Sequence, residues 1–168
     1  MLIASPRRLA AAAACLPALL LAPVAPPASA APTELPEPSP ASIARAELAE
    51  LAVAQPHAMT GYSRARFPHW SDQGDSCSTR EVVLERDGED VLRDSQCRAV
   101  TGTWHSQYDG KKLTSASQVD IDHVVPLANA WRSGADAWST AKRQQFANDL
   151  TNPQLIAVSA TSNRAKGD

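Results

Sequence analysis

The hydrophobic positions of this chain fall into blocks of different kinds, and the differences predict most of its elements. Residues 1–30 carry one Ala/Leu-rich run reaching Ala22, behind Arg7-Arg8 and ahead of Ala28-Ser29-Ala30. That is the three-part layout of an export signal with an A-x-A cleavage site. Pro17, Pro23, Pro26 and Pro27 interrupt the run well short of the roughly 20 apolar residues a membrane span requires, so a released protein is expected, with no membrane attachment after cleavage. Residues 31–41 are rich in Pro, Glu and Ser and read as an extended, solvated linker. Within residues 42–60, Ser42 to Val53 reads as a short packing helix with Ile43, Leu48 and Leu51 as its apolar positions, stopped by Pro56.

From Tyr62 to Gly110 the chain is punctuated by Gly, Asp and Ser, and two short apolar runs, Glu81 to Glu85 and Ala99-Val100, read as strands. Tyr62, Phe67, Trp70, Trp104 and Tyr108 are the expected core material of this loop-rich stretch. Pro126 then opens a helix that runs through Trp131 to a stop at Gly134, and Thr140 to Ala147 forms a second. Leu127, Ala130 and Trp131 share one face of the first, Lys142 and Phe146 one face of the second, which predicts a helical insertion packed through its aromatics. Leu155 to Val158 reads as a short buried strand, after which Ser159 or Ser162 can cap a last helix bearing Asn163 and Lys166 on one face. The fold class expected is α+β, a small single domain over residues 61–168.

Charge narrows the possible partners. The chain has 16 basic and 18 acidic side chains, and cleavage after Ala30 would remove Arg7 and Arg8, leaving 138 residues of net charge −4. Such a protein does not coat nucleic acid through bulk charge, although an enzyme can still focus a few cations at one site. Cys77 and Cys97 remain after cleavage, while Cys15 would leave with the signal. An even pair in an exported protein most simply forms a disulfide; a zinc site lacks both a C-x-x-C and paired histidines.

The candidate chemistry lies in Asp120-Ile121-Asp122-His123-Val124-Val125-Pro126, Asn152-Pro153-Gln154 and Ser162-Asn163-Arg164-Ala165-Lys166-Gly167-Asp168. Phosphodiester hydrolysis needs a base for water, a hard cation on oxygen ligands and a cationic group at the phosphate. His123 can serve as base, and Asp122 with the Asn163 amide oxygen suits magnesium, which keeps much of its water shell. Lys166, Arg164 and Arg80 are the candidate phosphate contacts, and Asp120 and Asp168 are reserve ligands. Neighbouring residues of a strand point to opposite faces, so Asp122 and His123 can share a site only if the strand ends there, as Pro126 allows. His57, His69 and His105 have no partner motif and read as ordinary surface or hydrogen-bonded histidines.

Asp-His-Val-Val-Pro, an asparagine before a short apolar strand, and Asn-Arg-x-Lys-Gly-Asp together resemble the HNH endonucleases of ββα-metal type. Tyr62-Ser63-Arg64-Ala65-Arg66-Phe67, Cys77-Ser78-Thr79-Arg80, Gly102-Thr103-Trp104 and Trp131 to Trp138 extend the likeness to the exported branch that shares its domain with the GmrSD restriction enzyme. The resemblance implies a ββα-metal site in which Asp122 and Asn163 bind the metal, His123 is the general base, Asn152 braces the loop holding that base, and Lys166 contacts phosphate. It implies a secreted, monomeric, magnesium-dependent endonuclease acting on DNA or RNA, with manganese or another divalent ion as substitute and with no obligate protein partner. Members of that branch continue past Lys-Gly-Asp, which casts residues 61–168 as a domain with a shortened C-terminus. A secreted protein of the same fold that binds nucleic acid or protein without turnover is therefore the competing expectation, and an antibacterial nuclease toxin is a third.

Overall fold

Three small antiparallel sheets, not one large one, organise the described residues. The computed structural model describes residues 36–167, so the expected export signal, residues 31–35 of the expected linker and Asp168 lie outside the described residues. In chain order the elements are α1 (Ala41–Glu50), β1 (Asp72–Gly74), β2 (Cys77–Ser78), α2 (Thr79–Arg86), β3 (Gly88–Arg93), β4 (Ala99–His105), β5 (Lys112–Leu113), β6 (Val119–His123), α3 (Leu127–Arg132), α4 (Thr140–Ala147), β7 (Leu155–Ser159) and α5 (Ala160–Lys166). β1 pairs with β2, β4 lies between β3 and β5, and β6 pairs with β7. The fold is α+β, and β6, β7 and α5 form its ββα unit, with α3 and α4 inserted between the two strands.

The β6–β7 register sets Val119 opposite Ser159, Ile121 opposite Ala157 and His123 opposite Leu155. Val119, Ile121, Leu155 and Ala157 pack with Val83 and Leu84 of α2, Trp104 of β4 and Leu113 of β5 into the main core. A β-carbon on Gly88 would stand 2.6 Å from the Trp104 indole nitrogen; the glycine leaves room for that N–H to donate to the Leu84 carbonyl at 2.8 Å. A second core of Phe67, Leu127, Ala130, Trp131, Ala135 and Ala147 lies beneath the insertion. The buried Arg143 donates there to the carbonyls of Arg66 at 2.9 Å and Ala135 at 3.2 Å, and also to that of Trp138. The expected aromatic packing is present in Tyr62 and Phe67 against Trp131 and in Phe146 against Trp138.

Three expectations need correction. Residues 81–85 lie in α2, not in a strand, because Ser78-Thr79-Arg80-Glu81 is a capping box: the Ser78 backbone N–H donates to Glu81 Oε2 at 3.1 Å. The cap fixes a helical first turn, and Val83 and Leu84 then bury themselves from one side of it. Second, α1 has no buried residue and ends at Glu50; Ile43, Leu48 and Leu51 are 50%, 68% and 65% exposed. Their spacing of five and three does not make a continuous stripe, and the chain bonds to the domain only further on, where the His57 N–H donates to the Arg132 carbonyl. Third, Tyr108 is exposed, and its phenol serves a polar contact instead of the core.

Two cross-links anchor the ββα unit and the sheet beside it. Cys77 and Cys97 form the expected disulfide, tying β2 to the end of the β3–β4 turn. Arg86 and Asp87 form a buried ion pair at 2.6 Å. From this pair Arg86 donates to the Leu155 carbonyl at 2.5 Å, and Asp87 Oδ2 accepts the Ala157 N–H at 2.8 Å. Removing one member leaves the other charge buried and strips a partner from β7. Asp87→Ala is expected to destabilise the fold by about 3–5 kcal/mol, read as a lowered urea midpoint with an unchanged slope.

Candidate functional site

The site starts from the end of β6. Gln154 clamps the loop that follows, accepting the Val125 N–H at 3.2 Å through Oε1 and donating to the Val125 carbonyl at 3.0 Å, while the Val124 N–H donates to the Gln154 backbone carbonyl. The strand therefore stops at His123, and Pro126 turns the chain into α3. With the strand ended, the two neighbours Asp122 and His123 line one cavity of about 190 Å³ together with Arg64, Asn163 and Gly167.

His123 is 4% exposed, and its Nε2 lies 3.0 Å from the Ala147 carbonyl. A carbonyl only accepts, so Nε2 carries the proton and Nδ1 keeps its lone pair. Burial pushes the imidazole down to about 4; the Ala147 bond and Asp122 pull upward, while Arg64 and then His69 push further down. The ring is therefore neutral around pH 7. Trp70 lies against it, with ring centroids 5.8 Å apart.

Asp122 is 6% exposed and fully engaged. Tyr108 donates to its Oδ2 at 2.5 Å, and the Lys166 ammonium lies 2.9 Å from Oδ2 and 3.2 Å from Oδ1. Lys166 also donates to the His123 carbonyl at 3.0 Å, so α5 is bonded to both residues of the Asp-His pair. Burial, and then the bond to Asp122, hold the Tyr108 phenol well above the usual tyrosine range. Asp109, next in the same turn, accepts the Ser159 and Ser162 hydroxyls at 2.7 and 2.8 Å and pins the N-terminus of α5. The Ser159 hydroxyl first, and then that of Ser106, keep the Asp109 carboxyl well below the usual carboxylate range.

Asn163 donates its amide N–H to Asp120 at 3.1 Å, which directs its nitrogen to the carboxylate and frees the oxygen for another role. Arg164 pairs with the same Asp120 oxygen at 3.3 Å. Arg80 donates from Nη2 to the carbonyls of Val119 at 3.0 Å and Ala116 at 3.4 Å, and lines a second hollow with Arg64, Trp70, Asp120 and Asn163. The structure thus brings together Asp122, His123, Asn163 and Lys166, with Arg80 and Arg164 alongside. It does not bring Asn152 there: that side chain is exposed and donates to Asp149 at 2.8 Å. The loop after His123 is braced by Gln154, two residues further on.

No cluster of three or more His, Cys, Asp or Glu capable of holding a metal occurs among the described residues. What the cavity offers a cation is one carboxylate, Asp122, and one amide oxygen, Asn163. That pair suits a hard divalent ion that keeps several waters, and the Lys166 ammonium on Asp122 marks the spot as one where positive charge is already held. Arg64, Gln154, Tyr108 and His69 are the site residues that sequence reading missed. Arg64 stands inside one of the resemblance segments, whereas nothing in the local pattern singled out Gln154.

Residues 78–168 match the family described as GmrSD restriction endonucleases, C-terminal domain. The chain is 54% identical over 141 residues to an uncharacterized secreted protein of Arthroderma benhamiae, an alignment covering 81% of this chain and 69% of that protein. No solved structure matches it. No helix among the described residues is long and apolar enough to cross a membrane. With a ββα unit and an Asp-His pair at the end of its first strand, the chain belongs to the family of the GmrSD restriction endonuclease C-terminal domain, an HNH-type domain.

Proposed function

We propose that the protein is a secreted, metal-dependent endonuclease that hydrolyses phosphodiester bonds of DNA. The observation that carries this reading is one cavity holding a neutral histidine with a free Nδ1, a buried carboxylate and an amide oxygen. In this reading water attacks phosphorus and gives its proton to His123 Nδ1, while Nε2 stays on the Ala147 carbonyl and holds the ring in place. The phosphorus–oxygen bond opposite the attacking water breaks, leaving a 5′-phosphate and a 3′-oxyanion that takes a proton from solvent water to become the 3′-hydroxyl. Asp122 and Asn163 would hold a divalent ion, magnesium by the hardness of its ligands, whose charge stabilises the developing negative charge and the leaving oxygen. Lys166 keeps the Asp-His pair and α5 in register and contributes positive charge beside the phosphate. Arg80 and Arg164 would steer neighbouring phosphates, and Asn152, bonded to Asp149 in the turn before β7, takes no direct part. Secretion is supported by the leader-like residues 1–30, by the disulfide and by the secreted relative.

One observation favours a second reading, a secreted domain that binds without turnover. Lys166 pairs directly with the carboxylate that the metal would need, and a cation fixed there could replace the metal instead of sharing its ligand.

Cleavage of supercoiled plasmid decides between them. The protein lacking residues 1–30 is expected to nick plasmid with magnesium or manganese, to stop with chelator, and to lose about 10²–10⁴-fold in rate on His123→Ala. A folded protein that leaves plasmid intact in every metal supports the binding reading.

The neutral base also has a cost in stability that depends on pH. His123 titrates near 6.5 when unfolded and at about 4 when folded, so the unfolded chain binds more protons between those values. The stability contributed by burying the neutral ring is complete above pH 6.5 and is lost as pH falls towards 4, at up to about 1.4 kcal/mol per pH unit. Urea unfolding in chelator is expected to show a lower midpoint at pH 5 than at pH 7.5, and His123→Asn is expected to reduce that difference.

A further inference from the structure

We propose that Arg64 is the phosphate clamp of this site and that His69 is the residue that aims it. The proposal rests on the nuclease reading and adds to it the group that grips the substrate backbone. Arg64 lines both hollows of the site: the cavity with Asp122, His123 and Asn163, and the adjoining one with Arg80 and Trp70. It is exposed to solvent on a single 3₁₀ turn, Arg64–Arg66, which leads directly into the fully buried Phe67.

A hydrogen-bond relay fixes its direction. The Arg64 Nε–H donates to His69 Nε2 at 3.3 Å, and the other nitrogen of His69 lies 2.8 Å from the Phe67 carbonyl. Because that carbonyl only accepts, His69 Nδ1 carries the proton and Nε2 must be the acceptor for Arg64. A neutral histidine holds the guanidinium without cancelling its charge. Nη1 and Nη2 have no protein partner among the described residues, so the paired donors that match two phosphate oxygens remain available.

The other cations of the site are more committed. Lys166 is paired with Asp122 and Arg164 with Asp120, and Arg80 places Nη2 on two backbone carbonyls. Arg64 alone combines a position on the reacting cavity, no carboxylate partner and a free terminal fork. A phosphodiester arriving between Arg64 and His123 would supply the missing anion and would be recognised without regard to base sequence.

The test separates binding from turnover by using the His123→Ala protein with magnesium and a fluorescent DNA duplex read by anisotropy across a salt series. Arg64→Gln in that background is expected to weaken binding about tenfold to a hundredfold and to lower the salt slope by about one phosphate contact. Arg64→Lys should recover part of the affinity, because charge remains and the fork is lost. In the active protein, His69→Ala should raise KM with little change in kcat, and His69→Gln, whose amide oxygen can still accept the Arg64 N–H, should restore it. The urea midpoint of Arg64→Gln should match its parent, as expected for an exposed side chain. An Arg64→Gln protein with unchanged affinity and salt slope, made in a chain that does cleave DNA, overturns the clamp and leaves the nuclease standing. A chain that neither binds nor cleaves overturns both.

Discussion

The buried pair of Arg86 and Asp87 holds the site together from behind. β7 has a partner strand on one edge only, so the backbone groups of its other edge need partners from elsewhere. The C-terminal end of α2 supplies them: Arg86 takes the Leu155 carbonyl and Asp87 takes the Ala157 N–H. Leu155 and Ala157 lie opposite His123 and Ile121, so fixing their backbone fixes the strand that carries His123. A charged pair does this where a third strand would have closed off the space that α2 fills with Val83 and Leu84.

From that frame the site is assembled by three separate stretches. β6 brings Asp122 and His123, α5 brings Asn163 and Lys166, and the β4–β5 turn brings Tyr108 to Asp122 and Asp109 to the start of α5. The turn and the helix thus hold each other as well as the carboxylate. α5 has seven residues, too few to be stable alone, and its position depends on the Ser159 cap, the Asp109 contacts and the Lys166 bond. At 6% exposure the Asp122 carboxyl has a phenol and an ammonium in place of the water it has lost.

Strong local signals made much of this legible in the sequence. The expected helix over residues 140–147 matches α4, and the Pro126 start and Gly134 stop frame α3, because caps and breakers act through neighbouring residues alone. The Asp-His pair and Asn163 come together as their motifs imply. Residues 81–85 misled because two adjacent valines outweighed the Ser78–Glu81 cap that decides their conformation. Asn152 and Gln154 show the limit from the other side: both lie in one turn, and only long-range geometry shows that Gln154 reaches Val125 while Asn152 turns to Asp149. His69 looked ordinary for the same reason, since its acceptor role exists only once Phe67 and Arg64 are in place.

The charge balance of the chain points the same way as the geometry. With acids outnumbering bases, attraction to a polyanion cannot come from the surface as a whole. It must come from cations concentrated in one concave place, and Arg64, Arg80, Arg164 and Lys166 all border the two adjoining hollows or the acids that line them. Asp120 and Asp122 neutralise two of the four, which keeps α5 docked but leaves the net pull to the arginines of the other wall. Arg64 comes from the segment before β1 and Arg80 from the first turn of α2. The ββα unit therefore carries Asp122, His123 and Asn163, and the capped, disulfide-bonded half of the domain supplies the uncompensated charge. In the nuclease reading, recognition and chemistry belong to different parts of the chain that meet only in the folded structure.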